Sequence, residues 1–203
     1  MTEHEKMLRG LIYDPTDPEL SKLSRYAKHK AYLLNQTDPS DDELYLQRLK
    51  DLFPGLGENS YVAPGVQVDY GVNFKTGKNF FANYGFVVLD VCPVTCGDNV
   101  MCGVGVHLVA PVHPLLSSER NPRLQKDGTV HDLEYGKPIV IGSGVWLASD
   151  VTVCGGVTIG DNTVIAAGAV VTKDIPSGVL AGGVPCRVIR ELTEKDRLGV
   201  YDD

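Results

Sequence analysis

A chain of 203 residues with 26 acidic and 19 basic side chains, a formal net charge of −7, has room for one well-buried core and a small appendage rather than two full-sized domains. That balance excludes a nucleic-acid surface, which needs a concentrated basic stripe, so any anionic ligand must be met by a local group of cations. The five cysteines contain no CxxC pair and read as buried free thiols in a reducing compartment; the start MTEHEKMLRG lacks an apolar signal core, no run is long enough to span a bilayer, and a cytoplasmic protein is expected.

Residues 1–55 carry helix signals. Thr2 with Glu5 and Ser40 with Glu43 have capping-box spacing, and Asp17 before Pro18 supplies an N-cap and a favoured first helical residue. Leu20, Leu23, Tyr26, Ala27, Leu33 and Leu34, then Tyr45, Leu49, Leu52 and Phe53, recur at three- and four-residue steps, which predicts amphipathic helices. Lys28, His29, Lys30 and Arg48 are expected on their solvated faces.

After Pro54-Gly55 the period changes to six. From Ile141 the chain reads IGSGVW, LASDVT, VCGGVT, IGDNTV, IAAGAV, VTKDIP, with one aliphatic opening each unit. No helix has that period; it belongs to a hexapeptide-repeat β-helix, in which three hexads make one triangular coil. The beat is weaker earlier, through Val62, Val68, Phe74, Phe80 and Phe86, then, after a two-residue slip near residues 93–95, through Val100, Val106 and Val112. Residues 114–138 have no hexad register, carry charges throughout, and are expected to leave the coil as a long loop. The expected organisation is a helical cap (1–55), a β-helix (56–190) with that loop, and a C-terminal tail (191–203) that begins as a strand and continues as a helix. Open ends and flat faces call for capping and self-association, and a trimer of prisms would cover one face per subunit.

Segments across nearly the whole chain, NFFAN (79–83), VHPL (112–115), EYGKPIVIG (134–142), GVWLAS (144–149), GGVTIGDNTVIAAGAVVTKDIP (155–176) and PCRVIREL (185–192), resemble the maltose, galactoside and nodulation acetyltransferase family, and EKMLRGLIYDPTDPEL resembles its small N-terminal cap. The resemblance implies a left-handed parallel β-helix with a helical cap, a homotrimer with active sites between subunits, and transfer of acetyl from acetyl-CoA to a sugar hydroxyl without a metal. It implies that His113 is the catalytic base, imidazole being well suited to take a hydroxyl proton near neutral pH, and that Glu134 orients that imidazole, as an acid does in a triad; a loop carboxylate in water is the plainer reading of Glu134.

The same match places Asn83 at the acceptor, its amide able to donate and accept, with Asp69, Asp90 and Asp14 at or near it; a corner Asp that only caps a turn is the alternative for Asp69 and Asp90. Ser149 matches the residue at the thioester end of acetyl-CoA. Trp146 lines the pantetheine arm or packs between subunits, and Ala167 and Thr172 run beside that arm. Lys173, Arg187 and Arg190 are implied to meet the nucleotide phosphates. Three departures from the family pattern stand out: Ala148 at a usual glycine, Cys96 at a usual aliphatic, and a longer loop, with the extra stretch 125–132 near His113 able to reshape the acceptor pocket. An acetyltransferase for another hydroxyl acceptor, such as an antibiotic, and a noncatalytic β-helix scaffold are the alternative functions. A zinc carbonic anhydrase on the same coil would need three converging histidines, which His107, His113 and His131 are poorly spaced to supply.

Overall fold

In a computed structural model the described residues are 1–126 and 128–200; Asp127, inside the extra stretch, and residues 201–203 of the tail lie outside them. The N-terminal cap has three helices, α1 (Glu3–Leu8), α2 (Pro18–Asn35) and α3 (Asp42–Leu52). The Thr2–Glu5 capping box and the Asp17 cap with Pro18 form as expected. The third start differs by one residue: Ser40 bonds back to Asp38, and Asp41 accepts the N–H of Leu44 as the cap.

Leu20, Ala27, Leu34, Tyr45, Leu49, Leu52 and Phe53 are buried, whereas Tyr26 is 61% exposed and Leu23 lies at the surface, because the buried stripe of α2 runs through Ala27, Ala31 and Leu34. Among the cations expected in water, Arg48 and Lys30 have partners within the cap. Arg48 donates to the Leu33 carbonyl (2.8 Å) and the Thr37 hydroxyl (3.0 Å), fastening α3 to the end of α2, and Lys30 donates to the Asp51 carbonyl (2.8 Å).

Beyond the cap the chain winds into a prism with three parallel faces. Face 1 stacks Tyr61–Val62, Phe81–Ala82, Met101–Cys102, Trp146–Leu147, Val164–Ile165 and Val179–Gly182; face 2 stacks Gln67–Val68, Val87–Leu89, His107–Val109, Thr152–Cys154 and Val170–Val171; face 3 stacks Phe74–Thr76, Val94–Cys96, Ile139–Ile141 and Thr158–Ile159. The chain passes from face 1 through a first corner to face 2, a second corner to face 3, and a third corner back to face 1.

The first residue of each hexad (Ile141, Leu147, Val153, Ile159, Ile165, Val171) and the fifth (Val145, Val151, Val157, Thr163, Ala169, Ile175) all point inward and are buried. Thr163 is tolerated there because its hydroxyl donates to the Pro176 carbonyl at 2.8 Å. At the third corner Asn79, Asn99 and Asn162 take positive φ (54–58°), a left-handed turn that a short polar side chain accepts, and Asn79 donates to the Asn99 carboxamide. Cys96 is buried on face 3 beside Ile141 and fills space as an aliphatic would; Ala148 keeps its ladder bond to the Ile165 carbonyl.

The early beat conceals a change of column. Val62 and Val68 stack under the first-position residues Leu147 and Val153, but Phe74, Phe80 and Phe86 stack under the fifth-position column of Val157, Val145 and Val151. The first slip thus precedes Phe74, not only residues 93–95. The three phenylalanines fill the wide top of the prism with ring centroids 5.4–5.8 Å apart, and Phe53 of the cap meets Phe74 edge-on at 5.4 Å, plugging the open end. Tyr45 donates to the Val62 carbonyl (2.7 Å) and Asn35 bonds both the N–H and C=O of Val66, so the cap also satisfies the first coil's backbone. At the other end Arg187–Glu191 folds back antiparallel on Val179–Gly182, followed by a 3-10 turn, Glu194–Asp196.

The loop is partly ordered by its own pairing: a short helix, Ser117–Arg120, and two antiparallel pairs, Arg123–Leu124 with Val130–His131 and Pro111–Val112 with Tyr135–Gly136. Val112 therefore belongs to the stem of the loop and not to the coil. None of the helices is long and apolar enough to cross a membrane among the described residues.

Candidate active site

The hexad count is overrun three times at one place, the second corner. The regular step from face 2 to face 3, Thr152 to Val157, takes five positions; the equivalent step takes seven in the first coil (Gln67 to Phe74), seven in the second (Val87 to Val94) and thirty-two in the third (His107 to Ile139). These overruns lie on one edge, and they carry Asp69, Asp90, His113 and Glu134.

Backbone that leaves the ladder must find other partners. Asp90, fully buried, supplies them to the first overrun: one oxygen accepts from Tyr70 and Gly71 (2.9 Å each), the other from Asn73 (3.0 Å). With no surface to offer an acceptor, Asp90 is a turn clamp, which corrects its expected binding role. Burial pushes its carboxyl up to about 6, while the three N–H groups pull the other way.

Because the folded state holds this proton more tightly than the unfolded chain, the stability contributed by the Asp90 proton is present below about pH 4 and is lost as pH rises through 6. Asp90→Asn cannot accept the Asn73 N–H and is expected to cost about 1–3 kcal/mol. The gap to wild type should narrow between pH 4 and 7, and thermal melts in which it stays constant would refute this assignment.

His113 stands at the stem of the loop, half exposed, with Nε2 3.4 Å from Oε2 of Glu134, whose side chain is 13% exposed. The other oxygen of Glu134 accepts the Tyr13 hydroxyl. Burial raises the Glu134 carboxyl above its ordinary range, opposed by the Tyr13 bond and by His113. A cleft of about 390 Å³ opens on the Glu134 member of this pair, lined among others by Tyr13, Arg25, Lys28, Asp69, Tyr70 and Glu134. Asp69 is likewise raised by burial and is met by Lys28 at 3.7 Å, so Lys28 belongs to the cleft and not to a purely solvated helix face.

Asp14 is engaged beside it: its carboxylate holds the Thr16 N–H and hydroxyl and pairs with His131 Nδ1 at 2.7 Å, tying the cap to the inserted stretch of the loop. The cleft is thus walled by the cap, the coil and the loop together.

The remaining residues lie elsewhere on the prism. Asn83, Ser149 and Ala167 share the first corner, stacked around Gly103, where a Cβ would come within 2.7 Å of the Ser149 nitrogen. The Asn83 oxygen accepts the Tyr84 N–H (2.8 Å). Trp146, 47% exposed, continues an outward row on face 1 with Tyr61, Phe81 and Met101.

Thr172 and Lys173 are exposed at the second corner, two coils beyond the one that carries His113. Arg187 and Arg190 lie on the antiparallel strand of face 1, across the prism from Lys173. Arg187 donates to the Cys186 carbonyl (2.7 Å), and the Arg190 fork already grips Asp196 at 2.6 and 2.8 Å. Within one chain, then, His113 and Glu134 occupy one corner while Asn83 and Ser149 occupy another. Among the described residues no group of three His, Cys, Asp or Glu could hold a metal ion.

Sequence reasoning missed Tyr13, Tyr70 and Arg25. The available signal was the LIYDPTDPEL segment, where Tyr13 is an aromatic between two helices with no helical stripe to join.

Residues 6–57 match the maltose acetyltransferase hexapeptide capping motif and residues 138–173 match the six-repeat bacterial transferase hexapeptide. The chain is 39% identical over 199 residues to the galactoside O-acetyltransferase of Escherichia coli K12, covering 98% of this chain and 94% of that protein. A maltose O-acetyltransferase structure from Clostridium difficile 630 superposes with a TM-score of 0.87 at 42% identity, covering 96% of this chain and 99% of the other. A galactoside acetyltransferase in complex with coenzyme A gives 0.86 at 40% identity, covering 97% and 94%. With a capped hexapeptide prism, an imidazole–carboxylate pair where the prism is interrupted, and full-length relatives at this identity, the chain belongs to the maltose and galactoside O-acetyltransferase family.

Proposed function

We propose that the protein transfers the acetyl group of acetyl-CoA to a hydroxyl of a sugar, of the maltose/glucose or galactoside type, directly and with His113 as general base. The observation that carries this reading is the His113–Glu134 pair beside a polar cleft. With the Nε2 proton turned to Glu134, the Nδ1 lone pair is free to take the hydroxyl proton as the sugar oxygen bonds to the acetyl carbon; the C–S bond then breaks and His113 returns the proton to the departing sulfur. Among the described residues that line this cleft there is no cysteine, in keeping with direct transfer rather than an acetyl-enzyme.

Acetyl-CoA, when bound, supplies the activated thioester. Ser149 is assigned to the developing negative charge on its carbonyl oxygen, Trp146, Ala167 and Thr172 to the pantetheine arm, and Lys173 and Arg187 to the phosphates. Arg190 joins them only by exchanging Asp196 for phosphate. Because the acid–base pair and Asn83 stand at different corners, we assign the complete site to two subunits of a homotrimer, the second corner of one facing the first corner of the next. A cytoplasmic location suits both the five free thiols and the acetyl-CoA supply.

Thiol release from acetyl-CoA, measured against glucose, maltose, galactosides, amino sugars and chloramphenicol, tests the reaction. Release with glucose, maltose or a galactoside is the expected result. Release with chloramphenicol alone would overturn the acceptor class, and a folded protein silent with all of them would be a scaffold.

A further inference from the structure

Tyr13 sits in the link between α1 and α2 and is 1% exposed, yet it has a polar tip and a specific use for it. Its hydroxyl donates to Oε1 of Glu134, 121 positions away. The two main chains exchange a pair of bonds as well, Tyr13 N–H to the Glu134 carbonyl at 2.9 Å and Glu134 N–H to the Tyr13 carbonyl at 3.1 Å. The oxygens of Glu134 are thereby divided: Oε1 belongs to Tyr13 and Oε2 faces His113. We infer that Tyr13 is a positioning residue for acetyl transfer, holding one oxygen of Glu134 so that the other aims at His113, which makes the N-terminal cap part of the alignment of the base. The inference rests on the reading of His113 as that base.

The surroundings of Glu134 show why the phenol matters. It is faced from its own loop by Asp132, from the coil by Asp69 and Tyr70, from the loop stem by His113 and from the cap by Tyr13; Lys28 is drawn to Asp69. Burial and the acidic neighbours disfavour its charge, and the groups that support it are Tyr13 and His113. A charge-assisted O–H···O bond is among the stronger single contacts a buried carboxylate can receive. Without it Glu134 takes up a proton at higher pH, and an uncharged acid no longer orients or steadies the imidazole.

The test is Tyr13→Phe, which removes one oxygen and keeps the ring. The expected result is a fall in kcat of about tenfold with KM for acetyl-CoA unchanged, and an acidic limb of kcat displaced to higher pH; the same substitution in a Glu134→Gln background is expected to add little. Unchanged kcat and pH profile beside an inactive His113→Ala overturns the role of Tyr13 and leaves the base intact, whereas a fully active His113→Ala overturns the base reading itself. Equal losses from Tyr13→Phe in both backgrounds also overturn it, since the effect would then not pass through Glu134. Should Tyr13→Phe lose its cooperative melt, 3-fluorotyrosine placed at position 13 keeps the shape and strengthens the donor; the acidic limb should move to lower pH, and a limb that does not move overturns the inference.

Discussion

Replacing His113 by alanine is expected to lower kcat by about three orders of magnitude while leaving coenzyme A binding intact. The reason is chemical: a sugar hydroxyl is a weak nucleophile near neutral pH, a general base must take its proton as the C–O bond forms, and His113 is the imidazole paired with Glu134. The coenzyme residues are assigned to other parts of the prism, so binding of coenzyme A, followed by calorimetry, should not move. A variant that keeps the full rate of thiol release would remove His113 from the mechanism.

The second large effect is a gain. Asn83→Ala is expected to lose about a hundredfold in kcat through acceptor misplacement, and His113→Ala more, so each variant alone is close to inactive. Co-assembled from equal amounts of the two chains, random trimers of the kind proposed above should recover about one quarter of the wild-type rate, because in that proposal a site built from the first corner of one subunit and the second corner of the next is intact in one arrangement of four. Recovery requires the two residues to meet across a boundary. The separation of Asn83 and His113 on different corners is what motivates the experiment; mixtures refolded together that stay as inactive as their parents would place both residues of a site on one chain.

The coil was legible because its cause is local. A period of six with inward first and fifth residues is written in neighbouring positions, and Ile141, Leu147, Val153, Ile159, Ile165 and Val171 are all buried as that period requires. The cap at Asp17-Pro18 is local in the same sense. Where the reading slipped, a competing local signal was present: Ser40 has the right spacing to Glu43, yet its hydroxyl is turned back to Asp38 and Asp41, an equally good capping residue, takes the cap. Likewise an unbroken six-residue spacing through Val62, Val68 and Phe74 hid two extra residues, because the overrun and the change of column cancelled in the count.

The site was less legible. His113, Glu134 and Asn83 were singled out only through resemblance, and Asp90 looked like a ligand because a short acid at a corner can either cap a turn or face solvent; its burial decides between them. Tyr13 had no periodic partner to reveal it, since its partner lies 121 residues downstream.

The sequence by itself thus determined the period, the cap helices, the point where the prism is interrupted and the types of group available there, all properties of residues near one another in the chain. Only the tertiary structure decided that the three overruns fall on one corner, that Lys28 and Tyr13 of the cap reach Asp69 and Glu134, and that Asn83 and Ser149 lie on another corner. The physical reason is that a coil's rise and register accumulate over whole turns, so side chains far apart in sequence meet only when every intervening turn has its actual length.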